Sequence, residues 1–228
     1  MIKRLLSAIG LGREIAPAGP RFAPYGNTAA DFMYNLLFCD DRELFRPPGG
    51  TEREPWRTLF AEPPNAGALR VLAADRQQEG RVRALAFGRL RELGEAGPAK
   101  ELLGVVIEHP LEGGLDTLAA YSDGGARYIN HTGKMCVIEE RIPAVDERLR
   151  ALLAAARPLV DQIGPWDKPR LPPPPVGAVR LSFLVSDGLY FGQGSPAALA
   201  KDPLGGAVLA AGARLLEVIV ERTLSRQG

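Results

Sequence analysis

Residues 102–140 read LLGVVIEHPLEGGLDTLAAYSDGGARYINHTGKMCVIEE, and the predicted fold class rests on this part of the chain. Short runs rich in apolar and β-branched residues alternate in it with clusters of Gly, Asn, Asp and Ser. The runs span residues 102–108, 115–121, 126–130 and 135–139. Such runs are typical of strands joined by hairpins, because Gly and Asp-Gly supply the positive φ angles that tight turns need. The stretch therefore predicts an antiparallel meander of four strands.

A later segment repeats one part of this pattern. Residues 179–185 form another apolar run, Ser186-Asp187-Gly188 follow it, and an aromatic run begins at Leu189. The meander carries the same tripeptide at Ser122-Asp123-Gly124. One interpretation is that the same hairpin turn is used twice for the same backbone reason. The other interpretation is that both turns lie on one rim of the sheet and form a site.

The remaining segments show the periodicity of amphipathic helices. Asn27 and Asn65 are suitable N-caps, Gly94 is placed to end a helix, and apolar stripes cover residues 145–163 and 207–224. Helices and strands come in blocks and do not alternate strictly. This order predicts an α+β fold, in which the antiparallel meander sheet at about 102–140 and a second hairpin at about 179–192 are covered by amphipathic helices. The block order resembles that of the profilin-like and roadblock-like folds, a likeness that carries no functional residues.

The beginning of the chain differs from the rest. Residues 1–15 place aliphatic side chains on one face of a helix, and residues 16–26, APAGPRFAPYG, read as an extended connector. We therefore predict an N-terminal helix and connector over 1–26 and a single globular domain over 27–228. The helix could pack on its own domain, or it could contact a membrane surface or a partner. Its small positive charge favours packing on the domain, and Arg13 and Glu14 interrupt the apolar core that a secretory signal needs.

Composition and charge narrow the class of protein. The chain has 28 Lys and Arg residues and 27 Asp and Glu residues, so its net charge is +1 and no nucleic-acid partner is expected. The only two cysteines, Cys39 and Cys136, do not make a disulfide framework and favour a reducing, cytoplasmic setting. No apolar run approaches the roughly 18 residues that are needed to span a bilayer.

Arginines recur along the helical segment that precedes the meander. They are Arg70, Arg76, Arg81, Arg83, Arg89 and Arg91. Because Asp75, Glu79 and Glu92 are interleaved with them, the pattern predicts a solvated helix face with surface ion pairs. Contact with an anion or a nucleic acid is the alternative interpretation.

Residues 169–177, PRLPPPPVG, favour the polyproline II conformation. Such a segment can serve as a ligand for a proline-recognising domain, or it can be a stiff crossover between two elements of one fold. Since the chain shows no other feature of an interaction tail, the crossover is the favoured interpretation.

The turns supply the only plausible catalytic groups. Each candidate carries a hydroxyl, a carboxylate or an imidazole. The candidates are Ser122, Asp123, His131, Ser186 and Asp187. Together such groups could assemble a hydrolytic site. The turns at 122–125 and 131–134, however, fall at opposite ends of one predicted strand, about 15–20 Å apart at the usual rise per residue. This spacing argues against a direct contact between Ser122 and His131.

No cofactor or metal site is predicted. Cys39, His109, His131 and Cys136 could form a zinc site only if long-range folding brought all of them together. Gly133-Lys134 lacks the spacing and the hydroxyl of a phosphate-binding loop.

The predicted function follows from a well-patterned core without a recognised catalytic constellation. We expect a soluble, non-catalytic protein–protein interaction or scaffold module that binds another protein or a second copy of itself. The alternative is a hydrolase-type enzyme whose site is built from the Ser-Asp-Gly turns at the rim of the sheet.

Overall fold

The structure is a computed structural model, and it describes residues 20–95, 97 and 100–225. The predicted helix at residues 1–15 and the start of its connector lie outside these residues. The rest of the connector, residues 20–26, is bound to the domain. The backbone of Phe22 exchanges hydrogen bonds with the side chain of Asn35, and the hydroxyl of Tyr25 lies 2.7 Å from that of Thr117.

All the strands of the described residues belong to one six-stranded antiparallel sheet. They are β1 (Leu102–Leu111), β2 (Gly114–Tyr121), β3 (Ala126–Ile129), β4 (Met135–Ile138), β5 (Val179–Val185) and β6 (Gly188–Gly194). The spatial order is β4-β3-β2-β1-β5-β6, so the later hairpin joins the meander alongside its first strand. The predicted α+β fold, with a meander and a second hairpin, is confirmed.

Helices precede, interrupt and follow the strands. They are α1 (Thr28–Leu36), α2 (Trp56–Leu59), α3 (Ala66–Ala74), α4 (Gly80–Glu92), α5 (Pro143–Gln162), α6 (Pro196–Lys201) and α7 (Pro203–Ser225), with a short 3-10 turn at Arg42–Phe45. Asn27 and Asn65 cap α1 and α3 as predicted, because Asn27 accepts from the N–H groups of Ala29 and Ala30 and Asn65 accepts from that of Ala68. Gly94 follows α4 with a φ of +74°.

The sheet separates two hydrophobic clusters, and alternate residues of each strand enter one or the other. Val106 and Leu115 pack with α1, α3 and α4, whereas Val105 and Phe183 pack with α5 and α7. The molecule therefore has three layers, in which helices cover both faces of the sheet.

The final helix required a correction. By length and composition alone, Pro203–Thr223 could cross a membrane, since its mean hydropathy reaches 1.6. The sequence expectation considered only uninterrupted apolar runs, which Arg214 and Glu217 prevent here, and it missed a helix whose average hydropathy is high. In the fold, Val208 and Leu215 of α7 are buried in the cluster that α5 and the sheet share.

The proline-rich segment connects α5 to β5, as predicted for a crossover. Its Arg170 side chain is buried and fixes the crossover to the α1 side of the molecule. The Arg170 Nε donates to Asp40 Oδ2 at 2.7 Å, and Nη2 donates to the Pro20 carbonyl at 2.8 Å. The guanidinium carbon also lies 4.1 Å from the ring centroid of Phe38.

The predicted solvated arginine face is wrong for two of its members. Arg83 and Arg89 are only 4% and 8% exposed. Arg83 donates to the Ala73 carbonyl and pairs with Glu101 at 2.9 Å, while Arg89 pairs with Glu92 at 2.7 Å. The two arginines are buried because α3 and β1 pack against α4, and helical periodicity within α4 does not reveal those neighbours.

Candidate interaction edge

The two Ser-Asp-Gly turns lie at the same end of the sheet, where β1 begins. The Ser122 N–H donates to the Leu103 carbonyl, and the Ser186 N–H donates to the Glu101 carbonyl, both at 2.9 Å. The Ser186 hydroxyl accepts from the Glu101 N–H at 3.0 Å. Both tripeptides form hairpin turns, and both turns are tied to the entry of the central strand.

His131 lies at the other end of the sheet, in the turn between β3 and β4. Its Nδ1 is 3.4 Å from Asp116 Oδ1, and its backbone N–H donates to the same oxygen at 2.7 Å. The Asp187 carboxylate instead accepts from the Tyr190 hydroxyl at 2.8 Å, and Asp123 Oδ1 accepts from a backbone N–H of its own turn at 3.4 Å. The structure therefore does not bring the imidazole to the paired turns, as the strand spacing predicts.

The zinc candidates are also separated. Cys39 packs in the cluster on the α1 side of the sheet, whereas Cys136 packs on the α5–α7 side. Within the ranges that the structure describes, no group of three or more His, Cys, Asp or Glu side chains could hold a metal ion. Burial raises the pKa of the Cys39 thiol, which keeps it protonated.

Glu108 is a fully buried acid in β1, at a position where the predicted strand ended and the observed one continues. Its Oε1 accepts from the Tyr34 hydroxyl at 2.7 Å, while Oε2 has no hydrogen-bond partner in the described chain. Arg180 Nη1 is 3.8 Å away and donates instead to the Pro172 carbonyl at 2.7 Å. With no exposed surface, Glu108 cannot meet a substrate, and we assign it to the core.

Replacing Glu108 by Gln is expected to make stability less dependent on pH. Burial raises the pKa of Glu108 above its ordinary value of 4.5, against the opposing effects of Tyr34 and Arg180. The protonated acid therefore stabilises the fold at low pH, and this contribution is lost as pH rises through the folded-state pKa. Glu108→Gln keeps a neutral acceptor at every pH. Its advantage in free energy of unfolding over the parent chain should grow from about pH 4 to about pH 8, measured by urea unfolding.

The same comparison has a built-in control. Burial also raises the pKa of Asp40, but Asp40 is present in both proteins and its contribution cancels. A parent chain that gains stability relative to Glu108→Gln as pH rises would show that the Arg180 pair outweighs the cost of burial.

The two edges of the sheet are protected to different degrees. At β6, the backbone N–H of Trp166 donates to the Leu189 carbonyl at 2.8 Å. The ring centroids of Trp166 and Phe191 lie 5.1 Å apart. At β4, Met135 and Val137 are 42% and 46% exposed. They are apolar side chains on an edge strand, and an uncovered edge is a template for pairing with another chain.

The backbone of the β4 edge points toward solvent at the same two residues. The Asn130 N–H donates to the Lys134 carbonyl at 2.9 Å, which identifies this pair as hydrogen-bonded. Hydrogen-bonded and non-hydrogen-bonded pairs alternate along an antiparallel ladder. The pairs Ile129–Met135 and Arg127–Val137 are therefore non-hydrogen-bonded, so Met135 and Val137 direct their N–H and C=O groups away from β3.

A buried cation holds the edge strand in place. Arg127 is 3% exposed, and its Nη1 donates to the Ile138 carbonyl at 3.0 Å. Its Nη2 pairs with Glu139 at 2.8 Å, just beyond the end of β4. Arg127 thus holds β4 against β3, while the outward-facing backbone groups of Met135 and Val137 stay available for pairing.

A groove follows β4 on the α7 side. It has a volume of about 330 Å³, and its lining residues are Cys136, Val137, Ile138, Glu139, Glu140, Ile142, Ile219, Arg222 and Thr223. The groove lies beside β4 and combines apolar residues with Glu139, Glu140 and Arg222.

No sequence signal separates this strand from a buried one. Residues 135–138, MCVI, are apolar at every position, a pattern that is equally compatible with a strand covered on both faces. Only the strand order shows that β4 is last in the sheet.

Comparison of the chain with protein-family models, with curated proteins and with solved structures finds no match in any of the three.

Proposed function

We propose that this protein is a non-catalytic interaction module that associates with a second copy of itself through the β4 edge. The observation that carries the proposal is the coincidence, at Met135 and Val137, of exposed apolar side chains with outward-facing backbone groups. Pairing another strand here would satisfy those backbone groups and bury those side chains in one step. The two free cysteines support a reducing, cytoplasmic setting.

In an antiparallel pair of β4 strands related by a twofold axis, Met135 and Val137 of each copy both lie in the paired region. With Cys136 on the axis, Met135 lies opposite Val137 of the second copy, and the reverse. Each of these is a hydrogen-bonded pair, because both residues direct their N–H and C=O groups outward. The apolar side chains of each pair then meet on the same face of a continuous sheet.

Substituting Val137 by Lys is expected to weaken self-association at least about tenfold, which corresponds to about 1.4 kcal/mol. The substitution places a charged group in the paired strand while the exposed position lets the monomer keep its fold. Val71→Lys is the matched control, since Val71 is 73% exposed on α3, a helix that is not part of the β4 edge. Light scattering across a concentration series measures the dimer constant of each variant. A parent chain that stays monomeric throughout, or equal effects of both substitutions, would refute the proposal.

The register is tested by cross-linking. Cys136 faces its counterpart in a non-hydrogen-bonded pair, where Cα atoms are about 4.5 Å apart, within the range that a disulfide spans. A Cys39→Ser variant, which retains Cys136, should form a covalent dimer on mild oxidation, whereas Cys136→Ser should not. A non-covalent dimer that resists this cross-link would contradict the register about Cys136.

A further inference from the structure

A second concavity lies between the sheet and α7, away from the β4 edge. It has a volume of about 350 Å³, which falls in the size range of small-molecule sites. Its walls are mostly apolar: Ile107, Leu118, Val179, Pro196, Ala200, Leu209 and Leu216. Gly212 and Ala213 of α7 complete the lining, and Gly212 lies so close to Ile107 that a Cβ would overlap the Ile107 side chain.

The polar groups of this pocket gather on neighbouring strands. His109 of β1 lies opposite Asp116 of β2 in the strand register, and Tyr128 of β3 lines the same pocket. The Tyr128 hydroxyl donates to Asp116 Oδ2 at 3.1 Å, while the His131 N–H donates to Oδ1 at 2.7 Å. Asp116 is therefore held in one orientation at the wall of an apolar space.

The charge of the pocket is unbalanced. Asp116 is the only carboxylate among the lining residues, and no Lys or Arg of the described chain lines the pocket. Its nearest potential counter-ion is the His131 imidazole, whose Nδ1 is 3.4 Å from Oδ1. A carboxylate can accept several hydrogen bonds. Asp116 can therefore accept one from a ligand in addition to those from Tyr128 and His131.

We propose that this pocket binds a small amphipathic amine, with its apolar body between the sheet and α7 and its ammonium group on Asp116. Charge complementarity selects the amine over a carboxylate, since an anionic head would face Asp116. The apolar walls would remove the body of the ligand from water. His109 lies at the exposed rim, where its imidazole can contact the polar end of the ligand.

The test uses the full chain and three probes that share one apolar chain: n-hexylamine, n-hexanol and hexanoate. Each probe is titrated into the protein at fixed pH. The chemical-shift changes in NMR spectra then give the affinity of the probe and its location. We expect hexylamine to bind at least tenfold more tightly than the other two, with shifts centred on α7 and β1–β3. Absence of hexylamine binding, or equal binding of hexanoate, would overturn the proposal.

Two variants separate the contributions of charge and space. Asp116→Asn keeps an acceptor for the His131 N–H, and its amide NH2 can donate to the Tyr128 hydroxyl, but it removes the charge, so hexylamine should lose its advantage over hexanol. Ala213→Phe should fill the pocket and abolish binding of every probe. Ala210→Phe is the matched control, since Ala210 is exposed on the same helix and does not line the pocket. Unchanged hexylamine binding in Ala213→Phe would place the probe elsewhere and overturn the proposal.

The pocket and the β4 edge are independent in this test. Val137→Lys should leave hexylamine binding unchanged, because Val137 does not line the pocket. If Val137→Lys abolished hexylamine binding together with self-association, the assignment of the pocket to a single chain would be contradicted.

Discussion

Replacing Arg170 by Ala is expected to lower the free energy of unfolding by about 3–5 kcal/mol, the range for removing one partner of a buried ion pair. The guanidinium is 3% exposed and pairs with Asp40 at 2.7 Å. Its loss leaves the Asp40 carboxylate, which is 21% exposed, without its cation and leaves the Pro20 carbonyl without its donor. It also empties the space next to the Phe38 ring.

Urea unfolding of the full chain measures this loss. Arg157→Ala is the matched control, because Arg157 pairs with Asp161 on the surface of α5 and both side chains are about half exposed. An exposed pair contributes at most about 1 kcal/mol, so this control should change stability little. Arg170→Lys keeps the charge but loses the planar contact with aromatic rings, and it should fall between the two. Equal losses at Arg170 and Arg157 would contradict the assigned role.

Replacing Gly114 by Ala is expected to cost about 1–3 kcal/mol, the usual range for overpacking. Gly114 begins β2, and a Cβ there would overlap the backbone carbonyl of His131 in the β3–β4 turn. A backbone group at this distance cannot rotate away as a long side chain can. The strand and the turn must therefore separate, which also disturbs the contact between Asp116 and His131.

Gly192→Ala provides the control for Gly114→Ala. Gly192 is also a strand glycine, in β6, but a Cβ there would meet nothing within 4 Å. At such a position, the change from Gly to Ala alters stability by no more than about 1 kcal/mol and tends to stabilise. Thermal or urea unfolding of both variants separates the steric effect from the general effect of removing a glycine. If both variants behaved alike, the close approach at His131 would not be limiting.

The positions of the hairpins could be predicted because turn chemistry is local. Ser122-Asp123-Gly124 and Ser186-Asp187-Gly188 both form the predicted turns, and the strands begin and end within a few residues of the expected positions. The caps at Asn27 and Asn65 are equally local, since each involves a side chain and backbone N–H groups a few residues away. Block order was enough for the α+β class.

The neighbours of each strand could not be predicted in the same way. The pairing of β1 with β5 joins residues about 80 positions apart in the chain, and nothing in either strand alone specifies it. This pairing makes β1 a central strand and leaves β4 as an edge strand. The runs of β1 and β4 are both apolar, so the pairing determines that β4 is the exposed one. The candidate interaction surface follows from that order and not from the residues of β4.

The polar groups show the same division. The positions of the turns and caps could be predicted from local sequence, because they depend on contacts within a few residues. Long-range packing was needed to bury Glu108, to join Arg170 of the proline-rich crossover to Asp40, and to place Asp116 in the wall of a mostly apolar pocket. The physical reason is that the environment of a charged group is set by elements distant in sequence, which supply its burial and its partners.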